Sequence, residues 1–298
     1  MLDAAKGSWF RGLGAPHGSL SYGVLGRVGI FGILAGVVWY AHDHGVPRLS
    51  LSVGYHEIAG AIIALALAFR TNTGYARFWE GRTLWGAIVN ASRNLVRTVE
   101  VHARPDAKEL ERFATWDVVY AHTTRRSLRE QDQAPEIAAL LGDEELSGLR
   151  AQPHRPLAAA AELSRQLRDI AMKHAMAPMM VTHAESLIAN LVDYLGGCER
   201  IRRTPTPYGF VLLVRRCIVI FLASLPLALV DSQGIRTIIV TMLVAYPVLM
   251  IEALASELDD PFGHDANDLP LSRICAIIEK NLLGTEPPPS NAPAYRQD

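Results

Sequence analysis

Charged side chains are distributed unevenly along this chain, and that segregation limits the folds open to it. Of the 59 Lys, Arg, Asp and Glu residues, 36 lie in residues 70–205, whereas residues 1–69 hold seven and residues 206–256 hold five. Two apolar blocks therefore flank one highly charged block. The pattern favours membrane helices on either side of a water-exposed region, which the average composition of 50% hydrophobic residues conceals.

Each apolar block contains two uncharged runs of 12–15 residues, which are Val28–Ala41, Ile58–Phe69, Cys217–Val230 and Thr237–Ile251. A helix needs about 20 residues to cross roughly 30 Å of hydrocarbon, so runs this short are also typical of buried core helices. The flanks lengthen them, because Phe210–Val230 is interrupted only by Arg215 and Arg216, whose long side chains can snorkel to an interface. We therefore predict an all-α membrane protein with four transmembrane helices.

Basic residues indicate the orientation of these helices. They flank the apolar blocks at Lys6, Arg11, Arg27, Arg70, Arg77, Arg82, Arg200, Arg202 and Arg203. The connection between the first two runs offers only Arg48, and that between the last two offers Arg236. Because positive residues concentrate on the cytoplasmic side of a membrane, we expect both termini and the central block to be cytoplasmic.

The central block is predicted to be helical. Apolar residues recur with a 3.6-residue period in Arg70–Glu100, Ala107–Leu128, Leu157–Ala177 and Met179–Cys198, with prolines between these segments. The tail that follows Gly284 is rich in proline and small polar residues and is expected to be disordered.

The composition and motifs exclude several functional classes. A net charge of -1 offers no surplus of basic residues for a nucleic acid. The sequence lacks the glycine-rich phosphate loops, the zinc-protease motif and the serine-hydrolase motif. We therefore expect that the protein is not an enzyme.

One apolar stripe has two interpretations. Ala61, Leu65 and Phe69 are spaced four residues apart and share one face of the second apolar run. Such a stripe is typical of core packing, but around the axis of an oligomer it would form a narrow hydrophobic constriction that gates by dewetting. Glu57 lies one turn further out on the same face and is a candidate vestibule charge.

A cluster of carboxylates follows the last apolar run in Asp259–Leu269. Asp265 and Asp268 offer hard oxygen ligands of the kind that Ca²⁺ prefers. The alternative, which we favour, is that Asp268 or Asn267 caps a helix that has Pro270 in its first turn and ends at Gly284.

Three ordered motifs resemble those of the bestrophins. Residues 69–82, FRTNTGYARFWEGR, resemble the F-R-x-N-x-x-Y-x-R-(W/F) signature that follows the pore helix in that family. Residues 260–263, DPFG, with 267–271, NDLPL, are similar to a second signature in its bacterial form. Residues 196–200, GGCER, with 204–207, TPTP, are similar to a third.

The resemblance implies a bestrophin-type homopentamer in the bacterial inner membrane that conducts ions along its five-fold axis. Its partners would be its own copies, lipid and permeant monovalent ions. The family's neck positions fall on Ala61, Leu65 and Phe69, with alanine where a bulkier residue is usual. A second, cytosolic aperture falls on Met179, with Met180 as the alternative.

The resemblance also implies four regions. Residues 1–69 would hold an N-terminal segment and transmembrane helices 1 and 2 with the neck, and residues 70–205 the cytosolic helical region. Residues 206–256 would hold transmembrane helices 3 and 4, and residues 257–298 a cytosolic turn, helix and tail.

The resemblance raises two functional questions, which are whether the protein binds calcium and whether it conducts anions or cations. Asp265 and Asp268 match two calcium-binding carboxylates of animal members, but the acidic run between them is replaced by Ala266 and Asn267. We expect no required cofactor and no calcium gating. Family membership favours a chloride or anion channel; the alternatives are a monovalent-cation channel of the same architecture and a non-conducting, membrane-anchored helical scaffold.

Overall fold

The computed structural model describes residues 19–46, 51–132, 135–265 and 267–284, with side chains from residue 23 onward. Within these ranges the chain is helical and contains no β-strand, which confirms the predicted all-α class. The helices are α1 (Ser19–Asp43), α2 (Val53–Ala103), α3 (Ala107–Leu128), α4 (Pro135–Leu140), α5 (Asp143–Arg150), α6 (Arg155–Lys173), α7 (Pro178–Arg203), α8 (Tyr208–Gln233), α9 (Thr237–Leu258) and α10 (Leu271–Leu283). The basic residues Lys6, Arg11 and Arg48, together with the predicted disordered tail, lie outside the described residues.

Three helical stretches are long and apolar enough to cross a membrane. They are Gly23–Asp43, Val53–Ala103 and Tyr208–Leu258. The third stretch contains both α8 and α9, which are separated only by a 3₁₀ turn at Gly234–Arg236. The four apolar runs of the sequence thus lie on α1, α2, α8 and α9.

Helix α2 continues without a break from the apolar block into the charged block. It is 51 residues long, which corresponds to roughly 75 Å. The change in composition at residue 70 does not end the helix, because the segment contains no proline and no glycine with a positive φ. The helix ends at Ala103, where Arg104 adopts a φ of 51° and Pro105 follows.

The chain divides into two compact units. Unit 1 combines the residues up to Phe78 with Pro205–Pro261 and Asp265–Asn267, and unit 2 combines Trp79–Thr204 with Phe262–His264 and the residues from Asp268 onward. The core of unit 1 joins α1, the first half of α2, α8 and α9 through ten buried apolar residues. These are Val24, Val28, Ile63, Leu67, Val214, Ile218, Leu222, Ala245, Leu249 and Ala253.

Unit 2 is built around large, fully buried side chains on α2, α3, α6 and α7, which include Trp85, Phe113, Tyr120, Leu163 and Leu191. Helix α3 starts at a capping box, in which Asp106 accepts from the backbone N–H of Glu109 and the Glu109 side chain accepts from that of Asp106. Its bounds are those predicted from the sequence.

Two predicted helices begin earlier than expected, because prolines occupy their first turns. Helix α6 starts at Arg155 rather than Leu157, and α7 starts at Pro178 rather than Met179. A proline in the first turn loses no hydrogen bond, since that N–H has no partner within the helix. Ala175, with a φ of 50°, separates the two helices.

The predicted start of the last helix was wrong by one residue. Helix α10 begins at Leu271, and Pro270 occupies the preceding N-cap position instead of the first turn. The predicted cap was therefore wrong, since neither Asn267 nor Asp268 occupies the N-cap position. Asn267 instead donates from Nδ2 to Glu257 Oε2 at 2.6 Å. Gly284 ends the helix as predicted, in a left-handed conformation with a φ of 69°.

Candidate ion-pore residues

The predicted neck residues share an uncovered face of α2. Four residues advance a helix by slightly more than one turn, so Ala61, Leu65 and Phe69 lie above one another. Leu65 is 58% exposed and Phe69 is 60% exposed, and Ala61 is also exposed. The stripe therefore lies outside the apolar core of unit 1.

Buried residues on the other side of α2 fix the rotation of the helix. Ile63 and Leu67 are almost fully buried and contact the cluster formed with α1, α8 and α9. Their burial would be lost if α2 turned, at a cost of about 1.5–3 kcal/mol for each side chain. The stripe is consequently held facing away from the bundle.

The outer end of this face carries Glu57, which is exposed. Among the described residues its carboxylate makes no ion pair. The preceding residue, His56, is anchored to α8 by a 3.0 Å hydrogen bond between Nε2 and Ser224 Oγ. Glu57 is thus an exposed carboxylate at the outer end of the stripe.

An ion-pair cluster around one buried carboxylate in unit 1 was not predicted from the sequence. Glu252 on α9 is almost fully buried and accepts from Arg215 Nε of α8 at 2.6 Å. Arg27 of α1 lies 4.0 Å from the second carboxylate oxygen. Arg215, which the sequence suggested would snorkel, thus joins with Arg27 and Glu252 to connect three helices. A buried carboxylate without such partners would be strongly destabilising.

The first signature motif, in α2, contacts the end of α9 just ahead of the second motif. A Cβ on Gly74 would lie 3.0 Å from the carbonyl oxygen of Ala255, so glycine permits α2 to approach the end of α9 closely. Arg77 Nε donates to the Asp259 carbonyl at 2.9 Å and lies 3.0 Å from its carboxylate. Thr206 also donates to that carboxylate at 2.6 Å. These contacts connect α2, the end of α9 and the segment that precedes α8 within unit 1.

The turn of the second motif is held in unit 2 by Arg129. This buried guanidinium donates to the carbonyls of Phe262 at 3.2 Å and Leu269 at 3.3 Å. In the third motif, a Cβ on Gly197 would lie 2.9 Å from Leu84 Cδ1, so glycine allows α7 to approach α2. All three motifs thus contain residues required for packing.

Met179, the predicted cytosolic aperture, lies in the first turn of α7 in unit 2. Its side chain is 77% exposed, whereas Met180 is only partly exposed. The exposed thioether is the one available to line an opening.

Two carboxyl groups in unit 2 have shifted pKa values. Burial raises the pKa of Asp117 to about 7, although a 2.9 Å hydrogen bond from Ser92 partly offsets this effect. At the surface, hydrogen bonds from Lys173 and His174 lower the pKa of Glu109 to about 2. Of these two carboxyl groups, Asp117 is the one whose charge changes near physiological pH.

The described residues contain no cluster of three or more His, Cys, Asp or Glu side chains arranged to hold a metal ion. Ala266, between the two calcium candidates Asp265 and Asp268, lies outside the described residues. Asp265 and Asp268 remain predicted calcium ligands.

These features define an all-α integral membrane protein with an uncovered apolar stripe on its long helix. The family described as "Bacterial/Fungal Bestrophin protein" matches residues 1–284. The chain therefore belongs to the bestrophin family, as its motifs predicted.

Named relatives and a solved structure extend this result over most of the chain. The voltage-dependent anion channel-forming protein YneE of Escherichia coli K12 is 32% identical over 292 residues, which cover 95% of this chain and 93% of YneE. A voltage-dependent anion channel-forming protein of Nostoc is 32% identical over 288 residues, covering 94% and 92%. The crystal structure of a bacterial bestrophin homologue from Klebsiella pneumoniae, phased with zinc, has a TM-score of 0.82 at 28% identity and covers 88% of this chain and 97% of that chain.

Proposed function

We propose that five copies of this chain form an anion channel whose neck is lined by Ala61, Leu65 and Phe69. Curated relatives that share about a third of their residues with the chain are named anion channel-forming proteins. The observation that carries the proposal is the exposed apolar stripe of α2, which ends where the bestrophin signature begins. The function is transport of ions and not catalysis.

The neck acts on ions through its size and hydration. An apolar ring offers no ligand to replace the water shell of an ion, so a narrow ring empties of water and blocks flux until it widens. Ala61 makes the outer ring wider than the rings of Leu65 and Phe69. The two inner rings are therefore the gate in this proposal.

Ions leave through a second ring formed by five Met179 side chains. The flexible and polarisable thioether allows an opening of variable width. No cofactor is required, and calcium does not gate the channel.

The channel lies in the bacterial inner membrane with both termini in the cytoplasm. Basic residues support this orientation, since Arg70, Arg77 and Arg82 follow the neck and three further arginines precede Tyr208. The apolar helices α1, α2, α8 and α9 each cross the membrane once in this arrangement.

Ion flux through purified protein tests the proposal. Leu65→Ala removes three carbons from the gate ring and lowers the barrier; a decrease of about 1.4 kcal/mol corresponds to a tenfold increase in flux. Ile33→Ala on α1 is the matched control, because Ile33 is a large exposed apolar residue on another helix. Unchanged flux in Leu65→Ala, or the absence of any flux from the intact oligomer, refutes the neck; the latter result is what a non-conducting scaffold predicts.

A monovalent-cation channel is the second candidate, because one observation favours it. Glu57 is an exposed carboxylate on the neck face and makes no ion pair among the described residues. Five such charges at the outer mouth attract cations. The sign of the reversal potential under a KCl gradient across a bilayer decides between the two ions.

A further inference from the structure

Three of the uncharged runs in unit 1 have one end at the same level of the helix bundle. Arg27 directly precedes the run on α1, Arg216 directly precedes the run on α8, and Glu252 directly follows the run on α9. The ion pairs that join Glu252 to Arg27 and Arg215 place these boundaries side by side. This level is therefore where the hydrocarbon core meets the headgroup region at one face of the membrane.

Positive charge is in excess at this boundary. Glu252 is almost fully buried and is approached by both Arg27 and Arg215. The side chains of these two arginines nevertheless remain 57% and 48% exposed, and Arg216 is exposed beside them. One buried carboxylate thus holds two guanidinium groups in place without neutralising the three arginines.

Open space adjoins Arg27 on the headgroup side of the boundary. A helical side chain points back over the turn that precedes it, and the residue one turn before Arg27 on this face is Gly23. Gly23 and the neighbouring Gly26 are both exposed, and no described atom of another helix lies within 4 Å of a Cβ built at either glycine. The guanidinium of Arg27 therefore has room beside it for a ligand.

Apolar side chains continue the same helix faces on the hydrocarbon side of the boundary. Ile30 follows Arg27 by three residues and is 64% exposed, whereas Val219 follows Arg215 by four residues and is 54% exposed. Residues at these spacings are neighbours on one helix face. Each face therefore presents a cation towards the headgroups and an apolar surface towards the acyl chains.

A phospholipid with a net negative charge has the chemistry that this surface requires. A guanidinium donates paired hydrogen bonds that match the oxygens of a phosphate group. Basic pockets between transmembrane helices on the cytoplasmic side bind such headgroups. Because the apolar faces adjoin the arginines, a ligand with acyl chains fits the surface better than a free phosphate ion does.

We propose that Arg27, Arg215 and Arg216 bind the headgroup of an anionic phospholipid at the face of the membrane where α1 and α8 begin. The inference rests on the proposed function for one point, which is that this face is cytoplasmic. The headgroup lies beside Gly23, and the acyl chains lie along the apolar faces of α1 and α8. Glu252 does not contact the lipid and is a positioning residue for two of the three arginines.

Native mass spectrometry of the purified protein tests the site. The full chain is incubated with equal amounts of phosphatidylglycerol, which is anionic, and phosphatidylcholine, which is zwitterionic, and the lipid that it retains is counted. We expect the native protein to retain mainly phosphatidylglycerol, and Arg27→Gln and Arg216→Gln each to weaken its binding about fivefold. Arg27→Gln leaves the 2.6 Å contact between Arg215 and Glu252 in place. Arg236→Gln is the matched control, because Arg236 is exposed in the turn between α8 and α9, at the opposite end of these helices.

Several results would overturn the proposal. Equal retention of the two lipids by the native protein, or the same affinity for phosphatidylglycerol in the native protein and both arginine variants, removes the site. Release of phosphatidylglycerol by an excess of inorganic phosphate would show that the arginines bind a free anion instead. A lower fraction of oligomer in the arginine variants, with unchanged lipid retention, would show that another copy of the chain covers them.

The outcome does not depend on the fold of one variant or on ion conduction. If Arg27→Gln fails to fold, Arg216→Gln gives the same comparison, because Arg216 is exposed. A protein that conducts ions but retains both lipids equally refutes only the lipid site. A protein that retains phosphatidylglycerol but passes no ions refutes only the proposed channel.

Discussion

The buried carboxyl of Asp117 makes the stability of unit 2 depend on pH. In an unfolded chain this group ionises near 3.8, whereas burial holds its proton in the folded protein until about pH 7. Between these values the unfolded state binds fewer protons than the folded state, so a rise in pH favours unfolding. The difference corresponds to a loss of roughly 4 kcal/mol between pH 4 and pH 7. Asp117→Asn abolishes this loss, because the amide has the same shape and keeps an acceptor for Ser92.

Thermal unfolding of the purified protein in detergent between pH 5 and pH 8 measures this effect. About 2.5 kcal/mol of the loss falls between pH 5 and pH 8, which for a unit of this size corresponds to a fall in Tm of about 5–10 °C. We expect Tm of the native protein to fall with rising pH and that of Asp117→Asn to fall much less. Asp169→Asn, which changes an exposed carboxylate, serves as the control. The burial argument fails if Asp117→Asn and the native protein lose Tm equally over this range.

Three other properties can be measured. Gly74→Leu should lower the stability of the folded protein by about 1–3 kcal/mol, seen as a lower Tm, because its Cβ would contact the Ala255 carbonyl. Glu252→Gln should lower the stability by about 1–2 kcal/mol, because it removes the charge-assisted hydrogen bond to Arg215 while both arginines stay partly solvated, and a Tm equal to that of the native protein contradicts this. Currents should be equal in a strong chelator and in micromolar Ca²⁺; a steep calcium response would instead assign a role to Asp265 and Asp268.

Local patterns predicted the parts of the fold that depend on neighbouring residues. The bounds of α3 followed from its capping residues and apolar period, and the four uncharged runs lie on the four apolar helices. The neck stripe was visible because residues four apart must share a helix face. The sequence alone did not decide between a core and a pore, since both require apolar side chains. The exposure of Leu65 and Phe69 excludes the core of a single subunit.

Contacts between residues far apart in the sequence could not be predicted from local patterns. Glu252 and Arg215 are 37 positions apart on different helices, and each alone suggests only a tolerated charge near a membrane surface. Similarly, no local signal pairs Arg77 with Asp259, which lies 182 positions away. The single 51-residue helix was also missed, because the change in charge at residue 70 reflects a change of environment and does not affect backbone hydrogen bonding.

An apolar neck cannot choose the sign of an ion, so charges at its mouth decide selectivity, and Glu57 provides a quantitative test. For an ion about 7 Å from five carboxylates in water, the attraction is roughly 3 kcal/mol. Screening at physiological salt reduces it to slightly more than 1 kcal/mol, which concentrates cations roughly eightfold and depletes anions by the same factor. In the cation-channel alternative, in which Glu57 faces the axis, Glu57→Gln should therefore raise the permeability of anions relative to cations by more than tenfold, read from the reversal potential, whereas Asp43→Asn should not. The anion channel proposed above predicts instead that neither variant changes the reversal potential. If both variants keep the native reversal potential, Glu57 does not face the axis, and the case for a cation channel loses its only structural support.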